Sequence, residues 1–166
     1  MTFKRSFDPV VDARTRVLIL GSLPGEVSLT DQQYYAHKQN RFWKLVGEVI
    51  GQDLVAMAYE SRLATLLEHR IGLWDVVAQA QRSGSLDSQI RNHASNDLVT
   101  LIDTLPALRA IAFNGGTAAK IGSKTLGEKG GQYELLQLPS SSPAYAAMPY
   151  AAKLVVWQSL RHYLET

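Results

Sequence analysis

Residues 16–25 read RVLILGSLPG, an apolar run that stops at a Gly-Ser pair and continues into a Pro-Gly turn. A continuous apolar run of this length, closed by turn-forming residues, is typical of a strand buried on both faces of a parallel sheet. We therefore predict a strand over 16–22 with a loop directly after it.

Similar apolar runs recur along the chain and alternate with helical patterns. IGLWDVV at 71–77 and the segments 109–113 and 133–138 predict further strands. This alternation predicts an α/β fold: one three-layer α/β/α domain over 1–166, with a central, mostly parallel sheet. The predicted helices lie at 42–50 with a stop at Gly51, at 59–70, at 98–105, from Gly116 through Ile121, and as one long helix over 150–164.

Two segments carry no clear periodicity and are predicted as loops. Residues 26–39 follow the Pro-Gly turn and are rich in polar residues, and residues 78–93 are polar with RSGS at 82–85.

The composition bounds the functional classes. The chain has 166 residues, 46% hydrophobic and 19% charged, with a net charge of +2 and a pI of about 8.9. It has no cysteine, which excludes disulfides, a thiolate nucleophile and an iron–sulfur cluster. The four histidines show no ligand spacing, so no metal and no cofactor are expected. Without a membrane-length apolar run or a signal peptide, we expect a cytoplasmic protein.

Loops at the carboxyl ends of the strands are the expected site. Open α/β sheets bind ligands there, and both GSLPG at 21–25 and LPSSSPA at 138–144 follow predicted strands. GSLPG lacks the spacing of dinucleotide-binding and P-loop motifs. LPSSSPA places three hydroxyls between two prolines, which suits close approach to phosphates or to the edge of a base.

The segment between these loops leaves two interpretations open. Tyr34 and Tyr35 either cover the edge of the core or form a stacking platform for a base. Asn40 stands where a helix cap belongs, and Phe42 and Trp43 fit the core by position.

Several stretches together resemble the motifs of the uracil-DNA glycosylase superfamily. They are GSLPG, the paired tyrosines, NRFW at 40–43, GLWDVV at 72–77, IAFNG at 111–115 and LPSSSPA. The spacing from Gly21 to NRFW resembles the mismatch-specific thymine/uracil branch. That branch has a water-positioning asparagine where this chain has Leu23, and other branches have a histidine at the position of Leu138. The whole pattern is most similar to the hypoxanthine (deoxyinosine) DNA glycosylase family.

The resemblance implies roles for individual residues. It implies a catalytic part for two asparagines, a group of residues that bind the base, and a loop that grips DNA phosphates and fills the vacated stack. The catalytic candidates are Asn40 and Asn114; the base-binding candidates are Leu23, Pro24, Tyr35, Phe42 and Asp75; the DNA-binding candidates are Ser140, Ser141, Ser142, Tyr145 and Met148.

The expected function is a monofunctional DNA glycosylase acting as a monomer on damaged or mismatched DNA. It flips out a deaminated base, hypoxanthine first and uracil second, and leaves an abasic site. The alternative is a non-catalytic protein of the same fold that binds lesions or nucleotides, which the leucine at position 23 favours. A third interpretation is a small-molecule α/β domain that shares these motifs by chance.

Overall fold

The computed structural model describes residues 3–165. Its centre is a four-stranded parallel sheet in the order β3-β2-β6-β7. The central strand β2 is buried along its whole length, as its unbroken apolar sequence predicts. The strands are β2 (Val17–Gly21), β3 (Ile71–Asp75), β6 (Ala110–Asn114) and β7 (Glu134–Leu138).

Helices cover both faces of this sheet. Val17 and Ile19 of β2 point to one face and Leu18 and Leu20 to the other, because side chains alternate along a strand. The first face packs on α2, α3 and α6 and the second on α4 and α5, which confirms the three-layer prediction. The helices are α1 (Glu26–Asp31), α2 (Phe42–Ile50), α3 (Tyr59–Glu68), α4 (Leu98–Ile102), α5 (Gly116–Leu126), α6 (Tyr150–Trp157) and α7 (Arg161–Leu164).

The predicted loop at 78–93 is wrong. This region contributes β4 (Val77–Gln81) and β5 (Arg91–Ser95) to a three-stranded antiparallel sheet with β1 (Phe3–Arg5). Every residue of β5 is exposed, so the strand has no hydrophobic alternation to reveal it. The strand β5 forms because its backbone pairs with that of β4.

Two smaller differences concern helices. The segment predicted as a loop after the Pro-Gly turn contains the short helix α1. The predicted long C-terminal helix is interrupted by a 3₁₀ turn over Gln158–Leu160. Trp157 and Leu160 are both fully buried, and a 3₁₀ turn aligns residues three apart on one face. By contrast, α2 stops at Gly51 as predicted, and Gly51 adopts a left-handed φ of 70°.

The strand order positions the site. The chain passes from β2 to β3 on one side and places β6 on the other side of β2, which opens a crevice above their carboxyl ends. Gly21, Asp75, Asn114 and Leu138 end the four strands at this same edge. Within residues 3–165, none of the helices combines the length and the hydropathy needed to span a bilayer.

Candidate functional site

A cavity of about 400 Å³ opens at this crevice. The loops after β2 and β7 line it, together with the last residues of β3 and β6, the helix α1 and the turn between β4 and β5. Its volume is in the range of pockets that hold small ligands. The two loops GSLPG and LPSSSPA thus line the same cavity, as predicted.

The floor of the cavity holds a buried carboxyl group. Asp75 is only 3% exposed, and its Oδ2 has no hydrogen-bond partner among residues 3–165. Burial, followed by repulsion from Asp87, raises the pKa of Asp75 to about 7, and Arg82 partly opposes this rise. A buried acceptor without a partner is costly, and such groups mark ligand sites.

Gly21 permits two polar groups to converge on this floor. A Cβ at position 21 would lie 2.6 Å from Asp75 Oδ1 and 2.8 Å from Tyr35 Oη. Like Asp75 Oδ2, the Tyr35 hydroxyl is buried without a hydrogen-bond partner in the part of the chain that the structure describes. Burial and the nearby Asp75 raise the pKa of this phenol, so it remains a protonated donor.

Both tyrosines line the cavity, but Tyr34 is also anchored in the core, and the stacking of a base on Tyr35 stays a prediction. Tyr34 is core: its hydroxyl donates to the carbonyl of Asp8, and its own carbonyl accepts from the Trp43 indole. Tyr35 lines the cavity in a left-handed conformation with φ of 53°. Its ring stacks on Phe42 with centroids 3.8 Å apart.

The structure does not bring Phe42 to the cavity wall, contrary to the expectation that it binds the base. It is fully buried, and the Tyr35 ring lies over it. Phe42 supports the aromatic wall from behind and takes no direct part in lining the cavity.

Asn40 lies on the cavity wall and also supports the start of α2. Its Oδ1 accepts a hydrogen bond of 3.0 Å from the amide of Phe42, the first residue of α2, although the N-cap position itself is Arg41 and not Asn40. That bond leaves a second lone pair on Oδ1 and the two Nδ2 protons, which have no partner among residues 3–165.

Asn114 joins two strand-end loops. Its Nδ2 donates to Ser141 Oγ at 2.8 Å, and its Oδ1 accepts from the Ser141 amide at 2.9 Å. Both residues are buried and both line the cavity. In this contact the Ser141 hydroxyl is the acceptor, and Asn114 ties the LPSSSPA loop to the end of β6.

The other loop residues are distributed around the mouth of the cavity. Ser140 Oγ accepts from the Ser142 amide and Ser142 Oγ from the Ala144 amide, so these hydroxyls shape the loop. Tyr145 is 41% exposed and lines the cavity. Met148 is half-buried and does not line the cavity.

The GSLPG loop is held by a side chain that the sequence did not reveal. Leu23 and Pro24 line the cavity as expected, and both of their carbonyls accept hydrogen bonds from Arg82. The Arg82 guanidinium is fully buried and also donates to the carbonyl of Gly84 at 2.8 Å. It therefore joins the GSLPG loop to the turn between β4 and β5.

The same turn brings a second carboxylate to the cavity. Asp87 accepts from the Ser22 hydroxyl at 2.6 Å, and burial raises the pKa of Asp87. Ser85, Leu86 and Asp87 all line the cavity and are absent from the site residues predicted above. The RSGS stretch, typical of a hairpin turn, was the available signal.

The chemistry of this site is that of recognition and hydrogen bonding. Among residues 3–165, no group of three His, Asp or Glu side chains is placed to hold a metal ion. An aromatic wall, a buried carboxyl and a phenol converge in a cavity of small-ligand size. Fold and site define an α/β protein with a pocket suited to a flat ring that carries polar groups.

Comparisons with known proteins identify the family. The sequence-family model that describes the uracil DNA glycosylase superfamily matches residues 9–161 of this chain. This chain belongs to that superfamily, which confirms the resemblance of its motifs.

Two curated relatives are named hypoxanthine DNA glycosylase. The one from Methanosarcina acetivorans is 48% identical over 141 residues, covering 85% of this chain and 87% of that protein. The one from Methanosarcina barkeri is 39% identical over 156 residues, covering 94% and 86%. The solution NMR structure of a proposed uracil DNA glycosylase from M. acetivorans has a TM-score of 0.87 and 43% identity, covering 99% of this chain and 100% of that one.

Proposed function

We propose that this chain is a monofunctional DNA glycosylase that hydrolyses the N-glycosidic bond of hypoxanthine in DNA, with uracil as its second substrate. Two relatives at 39% and 48% identity carry the name hypoxanthine DNA glycosylase. The product is an abasic site, and no cofactor takes part. The proposal includes a single functional unit over 1–166 that acts as a cytoplasmic monomer.

The observation that carries the proposal is the unpartnered Asp75 carboxyl on the floor of the cavity. Deamination of adenine converts the acceptor N1 into an N–H donor, and deamination of cytosine does the same at N3. An ionised Asp75 accepts this proton, whereas adenine or cytosine presents a lone pair to it. The mismatch leaves two buried acceptors unpaired, at a cost of about 1–3 kcal/mol each.

Bond cleavage places positive charge on the sugar and negative charge on the departing base. The pocket must therefore supply fixed hydrogen-bond donors to the base and hold one water molecule near C1′. Leu23 has no polar side-chain atom to orient this water. We assign that task to Asn40, whose Oδ1 retains a free lone pair and whose Nδ2 retains two free protons.

The remaining residues bind and position the nucleotide. Tyr35 provides the stacking surface, backed by Phe42, and its hydroxyl donates to the base edge. Asn114 holds the LPSSSPA loop through Ser141, and we expect the backbone and the hydroxyls of Ser140 and Ser142 to contact the flanking phosphates.

Filling of the vacated base stack is assigned to Tyr145. This exposed residue stands at the mouth of the cavity, whereas Met148 lies outside its lining. Inserted apolar and aromatic side chains commonly stabilise kinked DNA in this way.

The test is base release from labelled duplexes that carry hypoxanthine, uracil or thymine opposite each normal base. Alkaline cleavage of the abasic product scores the reaction. Release from hypoxanthine that exceeds release from uracil supports the proposal. If Asp75→Asn leaves the base preference untouched, Asp75 does not read the base. Binding that weakens steeply with salt, without release from any duplex, instead supports a non-catalytic lesion reader.

A further inference from the structure

Lys153 is a nearly buried cation without a counter-ion. It lies on α6 and is only 4% exposed. Its ammonium lies 5.2 Å from the centroid of the Tyr145 ring, and no carboxylate within 4 Å pairs with it in the described part of the chain. An unpaired buried charge destabilises a protein, so its presence calls for a functional reason.

Two further cations lie over the ring of Tyr150, which is three residues before Lys153 on α6. The Arg41 guanidinium is 5.9 Å and the Lys44 ammonium 4.5 Å from the centroid of the Tyr150 ring. Both side chains are exposed, and neither is part of an ion pair among residues 3–165. The Glu48 carboxylate accepts a hydrogen bond from the Tyr150 hydroxyl, whose ring the two cations contact.

Electrostatics relates Lys153 to Arg41. Burial, followed by repulsion from Arg41, lowers the pKa of the Lys153 ammonium, so the two charges lie within interaction range. An anion bound between them would relieve this repulsion. The two aromatic rings add cation–π attraction but no negative charge.

This region borders the cavity. The backbone amide of Arg41 donates to the carbonyl of Ser141 at 3.0 Å, and Tyr145 lines the cavity. Arg41 also directly follows Asn40 in the chain. Arg41 therefore lies beside the LPSSSPA loop, and Lys153 lies beside Tyr145 at the cavity.

We infer that Arg41, Lys44 and Lys153 form a cationic rim that binds the backbone phosphates of the DNA strand next to the extruded nucleotide. The inference rests on the proposed function, since it takes the strand that delivers the base as its ligand. A bound phosphate would stabilise the charge of Lys153, which is nearly buried in the protein.

Salt dependence of DNA binding tests the rim directly. Each phosphate neutralised on duplex DNA contributes about −0.9 to the slope of log K against log salt concentration. The variants Lys153→Met, Lys44→Met and Arg41→Met each remove a charge and keep much of the aliphatic stem. The matched control is Lys124→Met, an exposed lysine in the last turn of α5.

The measurement is fluorescence anisotropy on a duplex with an uncleavable abasic analogue, between about 50 and 200 mM salt. We expect each rim variant to flatten the slope by about 1 and to lower the affinity roughly tenfold at the low-salt end. The control should keep the wild-type slope. Rim variants with the slope of the wild type would overturn the proposal.

Thermal stability separates a binding role from a structural one. Lys153→Met removes an unpaired buried charge and retains the packing of the stem, so its melting temperature should rise above that of the wild type. A lowered melting temperature together with an unchanged salt slope would show a structural lysine and overturn the proposal. Arg41→Met and Lys44→Met alter exposed side chains and test the rim whatever the stability of the Lys153 variant.

Base release measured in parallel distinguishes this proposal from the proposed function. A flattened slope in a protein that releases no base rejects the glycosylase and retains a DNA-binding rim. Release of hypoxanthine by rim variants with wild-type slopes rejects the rim and retains the glycosylase.

Discussion

Replacing Asp75 with asparagine should make the protein more stable at alkaline pH. The carboxyl is buried on the floor of the cavity, and its Oδ2 has no partner, so ionisation is unfavourable. An asparagine of the same shape carries no charge at any pH. Its amide group can donate to the unpartnered Tyr35 hydroxyl, which lies beside the carboxyl.

The magnitude follows from the pKa of Asp75, which rises from its ordinary value of 3.8 to about 7 in the folded protein. A group whose pKa is raised on folding contributes stability at low pH and loses it as the pH rises through the folded-state value. Each pH unit between the two values costs about 1.4 kcal/mol. The wild type should thus lose on the order of 2–3 kcal/mol relative to Asp75→Asn between about pH 5 and about pH 8.

Urea unfolding of both proteins at these two pH values measures the effect. The change in the stability gap is informative because any difference in packing between aspartate and asparagine is present at both pH values and cancels. Other titrating groups are shared by the two proteins. A gap that stays constant, or one that narrows as the pH rises, would refute the argument that Asp75 is buried and ionises near neutrality.

Two further substitutions test how the floor and the loop are held. Gly21→Ala places a methyl group against Asp75 Oδ1 and Tyr35 Oη. The rate of base release should therefore fall at least about tenfold, and the free energy of unfolding should fall by roughly 1–3 kcal/mol. Base release at the wild-type rate would contradict this prediction. Arg82→Met leaves the carbonyls of Leu23 and Pro24 without donors, so the free energy of unfolding should fall by about 3 kcal/mol in urea. A loss below about 1 kcal/mol would show that Arg82 does not hold the loop.

The central sheet could be predicted because burial on both faces leaves a strong pattern in the sequence. The run over 16–22 has no polar alternation, and it forms the fully buried strand β2. The loops that end these strands carry glycine, proline and serine, so the pocket could be located as well. In these segments the residue pattern of the segment itself is enough to predict its structure, and contacts with distant residues are not needed.

The antiparallel sheet could not be predicted in this way. Strand β5 is exposed at every position and owes its structure to pairing with β4. Its sequence, RNHAS, has neither the alternation nor the β-branched residues of a half-buried strand. As a result, Asp87 and its neighbours were absent from the expected site.

The other features that the sequence does not predict depend on contacts between residues that are distant in the chain. Arg82 bonds to carbonyls nearly sixty positions away, which no local pattern encodes. Lys153 resembles an ordinary surface lysine in a helix until the fold buries it beside Tyr145. Phe42 fits the family motif, and only the packing shows that Tyr35 separates it from the cavity.

The most direct test of the account is single-turnover release of hypoxanthine from duplex DNA by the wild type and by Asn40→Ala. Chromatography of the free base and alkaline cleavage of the strand score the same reaction independently. The account predicts release by the wild type with the strand intact before alkali, and a rate at least about 100-fold lower in the variant with nearly unchanged DNA binding. Release at the wild-type rate by Asn40→Ala would contradict the mechanism, and no release by the wild type would contradict the function itself.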